Sequence, residues 1–232
     1  MIVRLQNLSA RKPVLADLKA IASLLNTCDL VNSGSGNFHV TQEDILSTWQ
    51  APNFNLNDDA WVIVTRQGQL VAYAEVRQAE THNNLAASLY VHPDYRGRGI
   101  GTLLIWMMEE RARYLALHMS RASRVSLRLS VNSFNEGTRH LLEREGYTHT
   151  YSFWRLMIDM QNVPQSSTDE FYQHGKFTVD MMVDDDLAIS RAIQQQRAGM
   201  YVGRQYDVYE KELRSAQEAV ELQPSEEACL TC

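Results

Sequence analysis

Gly97, Gly99 and Gly101 fall inside the run Val91-His92-Pro93-Asp94-Tyr95-Arg96-Gly97-Arg98-Gly99-Ile100-Gly101-Thr102, and no other stretch constrains the fold as tightly. The run joins two kinds of periodicity. Upstream, Leu85 to Val91 is apolar enough for a buried strand, and Pro93 ends it by withdrawing a ladder donor. Downstream, Leu103, Leu104, Met107 and Met108 repeat at helical spacing from a start near Ile100. Glycines at such a junction let backbone N–H groups close on an anion, and the positive end of the helix dipole faces the same point. A phosphate or pyrophosphate is the guest this arrangement favours.

The surrounding residues narrow the ligand. The loop lacks the Gly-Lys-Ser/Thr of a P-loop, and several strands precede it, unlike a dinucleotide fingerprint. Arg96 to Gly101 resembles the Arg/Gln-x-x-Gly-x-Gly/Ala pyrophosphate loop of the GNAT N-acetyltransferase superfamily, and "VHPDYRG" resembles that family's lead-in. The order of elements agrees. Met1 to Leu8 reads as a first strand, Leu15 to Leu30 as an amphipathic helix, and Thr41 as the cap of a helix through Trp49. Trp61 to Thr65 and Leu70 to Val76 form a hairpin before the Leu85 strand. After the long helix, Ser126 to Val131 alternates as a strand, Asn132 to Glu145 reads as a helix ended by Gly146, and Tyr147 to Met160 as two strands. The fold class expected is α/β, a GNAT fold with a mixed central sheet flanked by helices.

The resemblance implies acetyl-CoA as co-substrate and an amine as acceptor, with no metal. It assigns Gly97, Gly99, Ile100, Gly101 and Thr102 to the pyrophosphate, with Arg96 or Arg98 adding charge. It assigns Leu89 and Val91 to the strand beside the thioester, the Val91 backbone amide polarising the acetyl carbonyl, and Asn135 to the cofactor side of the next helix. The family pattern Asn-x-x-Ala-x-x-x-Tyr-x-x-x-Gly-Phe reads here as Asn135, Thr138, Leu142 and Gly146-Tyr147. Leu142 stands where the proton-donating tyrosine would be. His140 and Tyr151 are the substitutes weighed, against ordinary surface or packing roles. For the general base Glu75 is the first choice, being the acidic residue within Leu70 to Val76; it could equally face solvent. His92 and Tyr90 are alternatives, His92 also suiting a strand-end cap. Asp58 and Asp59 could meet an ammonium or simply cap a turn, and Asn32 to His39 is a candidate selectivity loop. Acyl-chain preference would depend on space near Ala86 and Ala87.

The remaining composition limits the setting. The chain has 232 residues and a net charge of −6, which argues against a general nucleic-acid binder and suits a cationic substrate. No apolar run approaches a membrane span and no signal core is visible, so a cytoplasmic protein is expected. Three cysteines, Cys28, Cys229 and Cys232, are too few for a disulfide framework. Oligomeric state is open, a homodimer included. A GNAT domain is expected over 1–161, a linker over 162–176 and a flexible tail over 215–232. Residues 177–214 echo the earlier strand, helix and hairpin, with Phe153 matched to Tyr206, and resemble a partial second GNAT-like unit without its own cofactor loop. The competing function is a binding or sensor module that holds acetyl-CoA or another acyl-CoA with little transfer.

Overall fold

The computed structural model describes residues 7–33, 39–79, 84–119, 124–159, 176–182 and 200–215. Its elements are β1 (Leu8–Arg11), α1 (Leu18–Ser33), α2 (Gln42–Trp49), α3 (Leu56–Asp59), β2 (Ala60–Thr65), β3 (Leu70–Gln78), β4 (Asn84–Val91), α4 (Ile100–His118), β5 (Val125–Asn132), α5 (Glu136–Arg144), β6 (Thr148–Asp159), β7 (Lys176–Met182) and β8 (Met200–Arg214). The strands form one sheet of eight in the order β1-β2-β3-β4-β5-β8-β6-β7. The β4–β5 pair is parallel and the other pairs are antiparallel.

Local chemistry explains most boundaries. Thr41 caps α2 in a reciprocal box: its Oγ1 accepts from the Asp44 N–H at 3.2 Å and its own N–H donates to the Asp44 carboxylate at 2.8 Å. The β2–β3 hairpin turns through Gly68 at φ 84°. Asn135 caps α5 by accepting from the Thr138 N–H at 3.2 Å.

Alternation along the strands sends apolar side chains to two cores, one on each face of the sheet. Val71, Ala74, Val76, Leu85 and Leu127 pack beneath α4 with Leu104, Ile105 and Met108. Tyr73, Val62 and Val64 pack beneath α1 and α2 with Ile21, Leu25, Ile45 and Trp49.

The C-terminal third differs from expectation. Residues 148–159 make one strand rather than two, and residues 200–214 make one strand rather than a hairpin. β8 is an interior strand, paired to β5 on one side and β6 on the other, so it completes the first sheet instead of lying on it as a separate remnant. Phe153 and Tyr206, matched in the echo between the two segments, are cross-strand partners, stacked with centroids 5.3 Å apart. The first strand begins at Leu8, not Met1. Residues 1–6, the linker, the helix expected over 188–198, and the tail with Cys229 and Cys232 lie outside the described residues.

Candidate functional site

The site arises where β4 and β5 part. Their parallel pairing runs from Asn84/Ser126 to Ala87/Leu129 and stops there, while β4 continues to Val91 against β3. The His92 N–H donates to the Val71 carbonyl at 2.9 Å, which fixes the antiparallel alternation: residues 92, 90 and 88 bond to β3. Leu89 and Val91 therefore turn their N–H and C=O groups toward the gap. The Val91 carbonyl accepts from Cys28 Sγ at 3.3 Å and from Arg96 Nε at 3.4 Å, in keeping with that direction.

At the mouth of the gap the loop turns into α4. Gly97 and Gly99 hold φ of 74° and 83°, the left-handed region that side chains with a Cβ resist. Gly99 is the N-cap and has no side chain to occupy the first amides of α4, so the N–H groups of Ile100, Gly101 and Thr102 lack intrahelical acceptors. Gly101 allows α5 to come close: a Cβ there would lie 2.7 Å from Leu141 Cδ2. The result is a cleft of about 540 Å³ walled by Leu89, Tyr90, Val91, Arg96, Gly97 and Asn135 among others.

A smaller cavity of about 90 Å³ adjoins it, bounded by Asp29, Ser88, Tyr90, Ser130, Asn132 and Tyr206. Asp29 forms an ion pair with the buried Arg204, tying α1 to β8 above this cavity. Beside it, Glu75 is buried and accepts from the Tyr73 hydroxyl at 2.5 Å, which in turn accepts from Trp49 Nε1 at 2.9 Å. Burial, then the charge and hydrogen bond of Glu75, push the Tyr73 phenol far up and keep it a donor. Glu75 does not line either cavity, but its register partner Ser88 lines the smaller one.

Of the residues expected to hold a cofactor, Leu89, Val91, Arg96, Gly97, Ile100, Gly101 and Asn135 are on the wall. Arg96 also bonds Asn32 at 3.1 Å, pinning the loop to α1. Arg98 is off the wall: its guanidinium bonds the Asp94 carbonyl at 3.0 Å and lies 4.7 Å from the centroid of the Tyr95 ring. The Thr102 side chain is buried and accepts from Arg144 at 2.7 Å, because position 102 faces α5.

The remaining acid and base candidates separate cleanly. Leu142 is fully buried in the core under α4, and Glu136, Gly137, Thr138 and Leu141 are the α5 residues that line the cleft. His140 is exposed beside Glu143 at 3.4 Å, and Tyr151 lies in β6 paired to Val208; neither lines a cavity. His92 caps the turn Pro93–Tyr95 by accepting from the Asp94 N–H at 3.3 Å. Asp59 is committed to Arg111 at 2.7 Å, and Asp58 bonds Asn55 at 2.7 Å.

Sequence reasoning missed Cys28, Phe134 and Leu141 on the cleft and Asp29 and Tyr206 on the smaller cavity. Asp29 follows Cys28 on α1 and carried a readable signal, a charged residue at the end of an apolar stripe; Tyr206 carried none without the strand order. Among the described residues no group of three potential ligands could hold a metal, and no helix is long and apolar enough to cross a membrane.

Residues 19–147 match the acetyltransferase (GNAT) family. A mycothiol acetyltransferase from Saccharopolyspora erythraea is 35% identical over 100 residues, covering 41% of this chain and 33% of that protein, so this chain aligns with about a third of that relative's length. A GCN5-related N-acetyltransferase from Sphaerobacter thermophilus superposes with a TM-score of 0.72 at 18% identity, covering 90% of this chain and 96% of that one. A GNAT-superfamily phosphinothricin acetyltransferase from Sinorhizobium meliloti, solved in complex with acetyl-CoA, gives 0.56 at 13% identity over 95% of each chain.

Proposed function

The chain belongs to the acetyltransferase (GNAT) family, and on that premise we propose that it transfers the acetyl group of acetyl-CoA to a primary amine of a small molecule or protein by direct attack in a ternary complex. The parting of β4 from β5 behind the glycine loop carries this reading. Acetyl-CoA suits the residues present in two respects. The N–H groups of Ile100 to Thr102, with Arg96 beside them, suit a pyrophosphate. The backbone groups of Leu89 and Val91 suit an extended arm bearing amides, which would take the place of the missing strand partner. The acceptor amine enters this scheme from the smaller cavity.

In that reading the Val91 N–H polarises the acetyl carbonyl, the role of an oxyanion donor. Glu75 serves as base, taking the ammonium proton through a water held against Ser88, while Tyr73 orients the carboxylate. Metal chemistry has no part in the scheme.

A second reading, an acyl-CoA-binding sensor, is favoured by one observation: the α5 position that carries a phenol in the family pattern is here a leucine sealed in the core. Acetyl-CoA turnover against a panel of amines, polyamines, amino acids and peptides, read as thiol release, separates the two. Turnover with any member establishes the transferase. Calorimetric acetyl-CoA binding with no thiol release from any member favours the sensor.

A further inference from the structure

With position 142 closed off, the departing sulfur needs a donor from another element. Leu142 is in the core, His140 is in solvent and Tyr151 is on β6, so none of these reaches the gap. Among the described residues, Asn32, Leu89, Tyr90, Asn135 and Thr138 line both the cleft and the smaller cavity. They form the partition that an acetyl group crosses on its way from thiol to amine. Only Tyr90 and Thr138 in this set carry hydroxyls, and Tyr90 lies in the chain between Leu89 and Val91, the residues whose backbone faces the gap. Cys28, also on the cleft, has its thiol engaged with the Val91 carbonyl.

We propose that the Tyr90 hydroxyl is the hydrogen-bond donor that receives the CoA sulfur as it leaves, a task the family pattern gives to α5. The inference rests on the acetyltransferase reading above. As the amine nitrogen bonds the acetyl carbon, the carbon–sulfur bond breaks and its electron pair stays on sulfur. Tyr90 stabilises that thiolate without giving up its own proton. The nitrogen gives up two protons by way of Glu75 to solvent, the ammonium proton before attack and the second as the carbon–nitrogen bond forms, and the released thiolate takes its proton from solvent. The groups facing Tyr90 suit a donor that stays protonated: burial first, then Tyr206 from β8, Glu75 from β3 and Cys28 from α1 push its phenol up, while Arg77 pulls the other way. In this scheme Tyr90 acts as a donor, and the base is Glu75.

The test uses the full chain with CoA itself as probe and needs no acceptor. The thiolate absorbance of bound CoA is titrated in wild type and in Tyr90→Phe, which keeps the ring and its packing. Loss of the donor should raise the pH at which the bound thiol ionises by about one pH unit, with the calorimetric CoA affinity within about twofold. In turnover, kcat should fall about 10- to 100-fold with little change in KM for acetyl-CoA. An identical ionisation pH in the two proteins overturns the proposal, as does a wild type that binds no CoA. If the thiol shift is present but no amine releases thiol, the transferase reading fails while the Tyr90 contact stands.

Discussion

The mouth of the cleft and its inner end are built from different material. At the mouth, the groups left without intrahelical acceptors are backbone N–H donors behind the turn set by Gly97 and Gly99, with Arg96 on the wall beside them, while Thr102 turns toward Arg144 and Arg98 onto Tyr95. At the inner end the wall is made of side chains from distant elements: Asp29 of α1, Tyr90 of β4 and Tyr206 of β8 line the smaller cavity, and Glu75 of β3 pairs in register with Ser88 on its wall. A backbone site depends on local conformation, whereas a side-chain site depends on which distant strands become neighbours. Damage to the first should therefore abolish binding, and damage to the second should slow chemistry while leaving the cofactor in place.

The largest effect expected comes from Gly99→Val. A β-branched residue cannot hold φ 83°, so the turn must open and misdirect the amides behind it. Acetyl-CoA affinity should fall by at least about 100-fold, the order of two lost charge-assisted hydrogen bonds, with the far-ultraviolet circular dichroism retained. Near-normal affinity by calorimetry would dissolve the distinction between the two regions.

Glu75→Gln comes next. It keeps a partner for the Tyr73 hydroxyl but removes the basic oxygen, so kcat should drop on the order of 100-fold while acetyl-CoA binding is unchanged. Undiminished turnover would take the base away from β3. A loss of cofactor affinity instead would make the inner end part of the binding site.

The smallest effect is reserved for Thr102→Val. Its hydroxyl accepts from Arg144 and not from the cleft, so acetyl-CoA affinity should stay within about twofold while the melting temperature falls slightly. A large loss of affinity would show that the mouth uses the Thr102 side chain as well as its backbone.

The same division governs what could be read from the chain. The loop, the parting strand and the helix after it are contiguous from Leu85 to Met108, and their signals are local: a proline stop, glycines at left-handed positions, and a 3.6-residue apolar repeat. The sequence accordingly singled out Leu89, Val91, Arg96, Gly97, Gly101 and Asn135, which share the cleft wall. The side chains of Arg98 and Thr102 lie off the cleft wall, because spacing gives proximity to the loop but not side-chain direction. The β8 strand was misread as part of a hairpin. Its partners, β5 and β6, lie far upstream in the chain, and strand pairing at such separation leaves no trace in either strand's own alternation.

The sequence by itself determined that a glycine turn stands between a buried strand and a long helix, since φ preferences, capping and apolar period act within a few residues of one another. Only the tertiary structure decided what stands opposite that turn. Insertion of β8 between β5 and β6 brings Tyr206 to the wall opposite Tyr90 and Arg204 to Asp29, and packing of α5 on Gly101 turns Leu141 to the cleft and Leu142 to the core. Which of two adjacent leucines meets the ligand depends on how one helix rolls against another, and the packing at Gly101 sets that roll.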